Sequence, residues 1–210
     1  MTIHATHNDD VQHRTAAVYL ALADCVESLT DQQWEAPSLC EGWSIRDVVA
    51  HVTMPARYSE AEFMNELKGF EFDFTRLSNA IAARDGQLPT PRLTADLRCE
   101  ILHHWTPPGG DQRGALNHAV IHALDIAAPL NQTHVINDDT ITIVLDDLTA
   151  GETYAHFGTV IKGRRIEAND INWSYGSGTE LRGPARELAL NLCGRTIPNG
   201  HLEGTPVSRG

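Results

Sequence analysis

Apolar residues recur every three to four positions through most of the first 150 residues, the period of helices that bury one face. Val18, Leu22, Cys25, Val26 and Leu29 predict a helix over residues 11–29. After the loop 36–43, Ser44 and Asp47 have the form of a capping box, opening a helix over 44–58 with Ile45, Val48, Val49 and Val52 on its apolar face. A third helical pattern runs over 94–105 and stops at Pro107-Pro108-Gly109-Gly110. Residues 114–130 and 138–157 continue the series, the latter with Ile141, Val144, Leu145 and Leu148 apolar. The pattern changes after Gly158. Residues 160–167 and 171–175 are short β-like runs, Gly176-Ser177-Gly178 reads as a turn, and Gly183-Pro184 opens a last helix that Gly194 closes. The expectation is a mainly α protein: a helical bundle over 11–158, a small α/β module over 159–197, and tails at 1–10 and 198–210.

The segment 114–130, GALNHAVIHALDIAAPL, is apolar almost all the way round, yet His118, His122 and Asp125 share one narrow stripe. A polar stripe on a buried helix is costly unless something satisfies it. Two imidazoles one turn apart gripping a divalent metal would do so, with Asp125 orienting one ring or binding the ion itself. The spacing is weak by itself: with 11 histidines in 210 residues, roughly half such a pair arises by chance. Core histidines bonded to backbone or to Asp125 are the competing reading. A complete site needs a third ligand, and His51, His103, His104 and His156 all lie on or beside predicted helices. Spacing does not choose among them. Pro55 cannot donate to the carbonyl of His51, so the helix either breaks just after that residue or simply ends there.

Composition narrows the partners. A net charge of -12 argues against nucleic acid and anionic lipid, which demand a basic footprint. No run of about 18 apolar residues is present to span a membrane, and the first dozen residues lack the form of a secretory signal. Cys25, Cys40, Cys99 and Cys193 are scattered, with no Cys-x-x-Cys pair, so reduced thiols in a cytoplasm are expected. Cys40, in the loop before the His51 helix, is assigned to packing. The histidines near the start, His4, His7 and His13, are assigned to solvent.

Three motifs carry a resemblance. They are Trp34-Glu-Ala-Pro-Ser-Leu-Cys-Glu-Gly-Trp43 running into Ser-Ile-Arg-Asp-Val-Val-Ala-His51, then His118-Ala-Val-Ile-His122-Ala-Leu-Asp125, and lastly Asp170-Ile-Asn-Trp-Ser-Tyr-Gly-Ser-Gly-Thr-Glu-Leu-Arg-Gly-Pro184 with Cys-Gly-Arg195 behind it. In this order, over about residues 13–197, the chain resembles the mycothiol-dependent maleylpyruvate isomerase family of actinobacteria, within the DinB-like metalloprotein superfamily. The resemblance implies a DinB-like four-helix bundle holding a divalent metal, usually zinc, with Ni2+ or Fe2+ as alternatives. His51, His118 and His122 match the ligand positions. The characterised isomerases resemble a His, Glu, His set, with glutamate where this chain has His118; three neutral imidazoles leave the ion its full charge and make it a stronger Lewis acid. The C-terminal module is implied to supply an arginine, for which Arg182 is the candidate by position and suits a carboxylate-bearing substrate.

Three protein ligands leave coordination positions open, as catalytic sites do. The function so implied is a metal-dependent enzyme that uses a low-molecular-weight, mycothiol-like thiol for S-transfer or thiol-assisted isomerisation of a small electrophile. A metal-activated-water hydrolase and a non-catalytic metal-binding or sensor module are the alternatives. The partners expected are the thiol and the electrophile, with no nucleic acid and no membrane; a homodimer is left open.

Overall fold

A computed structural model describes residues 3–150 and 158–207. The fold is mainly α with a small α/β part, as the periodicity predicts. The chain packs as two compact units, Met1–Ile126 and Ala127–Gly210.

The first unit contains α1 (Ile3–Glu27), α2 (Asp31–Trp34), α3 (Ile45–Val52), α4 (Glu60–Gly69), α5 (Phe74–Asp85), α6 (Thr90–Leu97) and α7 (Glu100–His104), and most of α8 (Gln112–Ala127). Caps set several of these starts. Thr30, Ser44 and Ser59 each make a capping box with the residue three positions on, and Asp73 caps α5. α3 packs on α5 and α6, and α1 on α6 and α7. Leu22, Ile45, Leu77, Ile81, Leu93, Leu97 and Leu102 are fully buried between them.

Several helices differ from their sequence outlines. The 94–105 pattern is two helices, because the chain leaves helical geometry at Arg98 and Cys99 and restarts at Glu100. The expected 44–58 helix stops at Val52, and Pro55 sits in a 3-10 turn, Met54–Ala56. α4 and α5 carry no strong amphipathic signal in the sequence and were not expected. Phe63 is the one buried side chain of α4.

In the second unit α9 (Asp138–Thr149) packs on α10 (Ala185–Leu192); the remainder of the predicted 138–157 helix, His156 included, lies outside the described residues. The strands β1 (Arg164–Ala168), β2 (Ser174–Gly176), β3 (Thr179–Gly183) and β4 (Glu203–Gly204) form a sheet in the order β2-β1-β3-β4. β1 pairs antiparallel with β2 and parallel with β3, which pairs antiparallel with β4. The turn expected at 176–178 is therefore a crossing beneath the start of β1. A side chain at Gly178, where φ is +125°, would collide with the carbonyl of Gly163, so the close approach requires glycine. The segment read as a C-terminal tail instead supplies β4, and Val207 is buried with its N–H on Asn191 Oδ1 at 2.9 Å. Trp173 ties the sheet to α9 through a 2.8 Å bond from Nε1 to Asp146 Oδ1.

Candidate metal centre

α8 is as enclosed as its composition predicts: Leu116, Val120, Ala123, Leu124 and Ile126 have no exposed surface. Its polar stripe meets the last turn of α3. The ring centroids of His51 and His118 are 5.3 Å apart, those of His51 and His122 5.0 Å, and those of His118 and His122 4.7 Å. One nitrogen from each ring falls within 4.8 Å of the other two. The structure thus brings together the three histidines singled out in the sequence. His104 instead pairs with Gln12, and neither it nor His103 joins a metal-competent cluster among the described residues.

The hydrogen bonds decide which nitrogen of His122 faces inward. Its Nδ1 is 3.0 Å from Asp125 Oδ2. An ionised carboxylate only accepts, so Nδ1–H is the donor, and Nε2 is the nitrogen not engaged by Asp125. Asp125 has no exposed surface, and Cys40 Sγ donates to the same oxygen at 3.0 Å. Sequence reasoning gave Cys40 a packing role and missed this bond, which joins residues far apart in the chain. The loop that presents Cys40 is locked in place. Leu39 N–H donates to the Asp125 carbonyl at 3.0 Å, Ser38 N–H to the Trp43 carbonyl at 2.9 Å, and Trp43 N–H to the Cys40 carbonyl at 3.0 Å.

His51 and His118 are in a different condition. Their Nε2 atoms lie 3.3 Å from each other, and both Nδ1 atoms are enclosed with no hydrogen-bond partner. Core histidines satisfied by backbone or side chains do not look like this. A cation held tetrahedrally at zinc–nitrogen distances sets its ligand nitrogens about 3.3–3.4 Å apart, the spacing found between His51 and His118. The donor set therefore fits a divalent ion. Burial lowers the proton affinity of His51 to a pKa of about 3, with His122 adding to the effect and Asp125 opposing it. Burial likewise holds His118 well below its ordinary value, reinforced by His122 and His51. Both rings are accordingly neutral at physiological pH, the form that binds metal.

Indoles flank the triad. Trp43 lies 5.0 Å from the His51 ring and Trp105 5.3 Å from the His118 ring, centroid to centroid. Trp43 Nε1 donates to Asn79 Oδ1 on α5 at 2.9 Å. With Glu41, Gly42, Asp47, Asn79 and Ala83, Trp43 also lines a cavity of about 320 Å³. Arg182 belongs to the second unit. It is exposed on β3, opposite Glu167 of β1, with Nε 4.0 Å from Glu167 Oε1. Arg195 lines a cavity of about 470 Å³ in that unit.

The comparisons with known proteins bear on the fold and on the family resemblance. Residues 16–106 match the family described as the mycothiol maleylpyruvate isomerase N-terminal domain. This segment is similar to that domain. It carries the loop 36–43 and His51, and ends before α8, so the family resemblance read from the motifs is borne out. Two crystal structures of the mycothiol-dependent maleylpyruvate isomerase share the fold. One aligns at 12% identity with a TM-score of 0.59, the other, a histidine-to-alanine variant, at 13% with 0.57; each alignment covers 98% of this chain and 95% of that one. No curated protein sequence matches the chain.

The capping box of α3 sets the direction in which His51 is delivered. Ser44 Oγ accepts from Asp47 N–H at 3.3 Å, and Asp47 Oδ2 accepts from Ser44 N–H at 2.9 Å. Ser44→Ala should cost about 1 kcal/mol and lower the melting temperature by about 2–4 °C. A thermal melt with no shift would show that packing alone fixes the start of the helix.

Proposed function

We propose that His51, His118 and His122 hold one divalent cation, with zinc the first choice and nickel or ferrous iron as alternatives. On this reading the protein is an enzyme that brings a mycothiol-like, low-molecular-weight thiol to a small electrophile, by S-transfer or thiol-assisted isomerisation. The observation that carries the reading is the 3.3 Å approach of two imidazole nitrogens in rings whose enclosed Nδ1 atoms have no hydrogen-bond partner. The match of residues 16–106 to that family supports the thiol.

When bound, the cation supplies Lewis acidity, lowering the proton affinity of a thiol so that thiolate is available at neutral pH. The chain's residues do the rest. Burial keeps His51 and His118 unprotonated. Asp125 fixes the tautomer and orientation of His122. Trp43 and Trp105 cover the flanks of the imidazoles. The cavity beside Trp43, about 320 Å³, is large enough for part of a small organic ligand. Arg182 is assigned to an acidic group of the electrophile.

The test is metal analysis of untagged protein, followed by conjugation of an electrophile with mycothiol and with other cellular thiols. A single cation per chain and a thiol reaction well above the uncatalysed rate are expected. Metal bound without any accelerated thiol reaction would leave a non-catalytic metal-binding module. Arg182→Ala should lower turnover and leave metal content unchanged, with Arg195→Ala as the comparison.

A further inference from the structure

Pro55 has no N–H to offer the carbonyl of His51, and α3 ends at Val52. Thr53 N–H still donates to the Val49 carbonyl at 3.1 Å, and side chains add to the closure of that last turn. Thr53 Oγ1 donates to the Val49 carbonyl at 2.6 Å, and Arg57 Nη2 donates to the Ala50 carbonyl at 2.5 Å. Arg57 does more than cap. Its Nη1 donates to Thr53 Oγ1 at 2.7 Å and to Asp96 Oδ2 at 3.0 Å, and its Nε to Asp85 Oδ2 at 3.0 Å. The three charged side chains are 9%, 7% and 8% exposed. Asp85 is the last residue of α5 and Asp96 lies in α6. One guanidinium therefore bolts the end of the His51 helix to two neighbouring helices.

Buried ion pairs are a poor source of stability, since well-packed apolar side chains often do as well. What a guanidinium offers is geometry: five donors in a rigid fork, reaching several acceptors at fixed angles. Here one of those acceptors is the carbonyl of the residue just before His51. Tyr58, Arg84 and Arg92 complete the carboxylates' shells, through Tyr58 Oη to Asp85 at 2.9 Å, Arg84 Nε to Asp85 at 3.0 Å and Arg92 Nε to Asp96 at 2.8 Å. Neither Arg84 nor Arg92 is among the donors to α3.

We propose that Arg57 is the positioning residue for His51, holding the last turn of α3 so that its imidazole meets those of His118 and His122. The proposal rests on the preceding reading only in taking His51 as a ligand. Arg57→Met is compared with Arg84→Met and Arg92→Met, which strip the same carboxylates of a partner without touching α3. In metal-free protein, amide hydrogen exchange at residues 50–54 should rise roughly tenfold in Arg57→Met and stay at the wild-type rate in the controls. In a titration with Co2+ and Zn2+, Arg57→Met should bind roughly 10- to 100-fold more weakly, with a shifted Co2+ visible spectrum. Arg57→Lys, which keeps the charge and loses the fork, should fall between, and serves if Arg57→Met does not fold. Exchange in α3 no faster than in the controls overturns the proposal, as does an unchanged Co2+ spectrum. If wild-type protein binds neither ion but exchange still rises selectively in α3, the metal reading fails and the positioning role stands.

Discussion

His122→Ala should empty the proposed metal centre. Removing one of three ligands forfeits about 4 kcal/mol of binding, roughly a thousandfold in affinity, so metal should be lost on dialysis against a weak chelator. The loss reaches further than one nitrogen. Asp125 and Cys40 are arranged around the His122 ring, and without it a fully buried carboxylate keeps fewer donors. Asp125→Asn is the milder companion, with affinity falling roughly 10- to 100-fold because the ring loses its orienting partner. Inductively coupled plasma mass spectrometry of the purified variants measures both. His4→Ala and His7→Ala should bind as wild type; retention of a full complement of metal by His122→Ala would remove the centre as described.

Metal-free protein should lose stability steeply on mild acidification. The sign follows from the His51 and His118 rings. His51 has its folded-state pKa lowered from 6.5 to about 3, and His118 is shifted in the same direction. Above pH 6.5 neither the folded nor the unfolded chain protonates them. Below it the unfolded chain takes up protons that the folded chain excludes, so stability present above pH 6.5 drains away as the pH falls towards 3. The slope is about 1.4 kcal/mol per pH unit for each such histidine. Between about pH 6 and 5 the pair should cost about 2–3 kcal/mol, before most carboxylates begin to titrate. Urea unfolding across that interval measures the slope, and His51→Gln should flatten it by about half. An equal slope in wild type and variant would mean that the His51 ring takes up a proton in the folded state.

The sequence made α8 legible because its polar stripe contradicts its apolar surroundings, and burial of Leu116, Val120 and Leu124 confirms the contradiction. His51 was harder. Spacing left four histidines open as the third ligand, and the motif leading from Trp34 to His51 chose among them. What could not be read was contact across the chain: Cys40 on Asp125, Trp105 on His118, Arg57 on Ala50. α4 and α5 escaped the periodicity because their apolar faces are narrow, although Ser59 with Glu62, and Asp73, were readable as caps. Thr90-Pro91 likewise marked the start of α6, outside the outlined helix. β3 was hidden behind Gly176 and Gly178, which serve a chain crossing rather than a simple turn.

The two indoles beside the imidazoles give the centre an optical readout of its own. Of the four tryptophans in the chain, Trp43 and Trp105 touch the rings of His51 and His118, while Trp173 is held by Asp146 in the second unit. Indole emission is quenched by a protonated imidazole in contact with it and by open-shell metal ions, and much less by closed-shell zinc. Ring protonation, zinc occupancy and copper or cobalt occupancy thus leave different fluorescence signatures without any attached dye. Because each indole sits on a different histidine, single Trp→Phe replacements separate the contribution of the α3 side from that of α8.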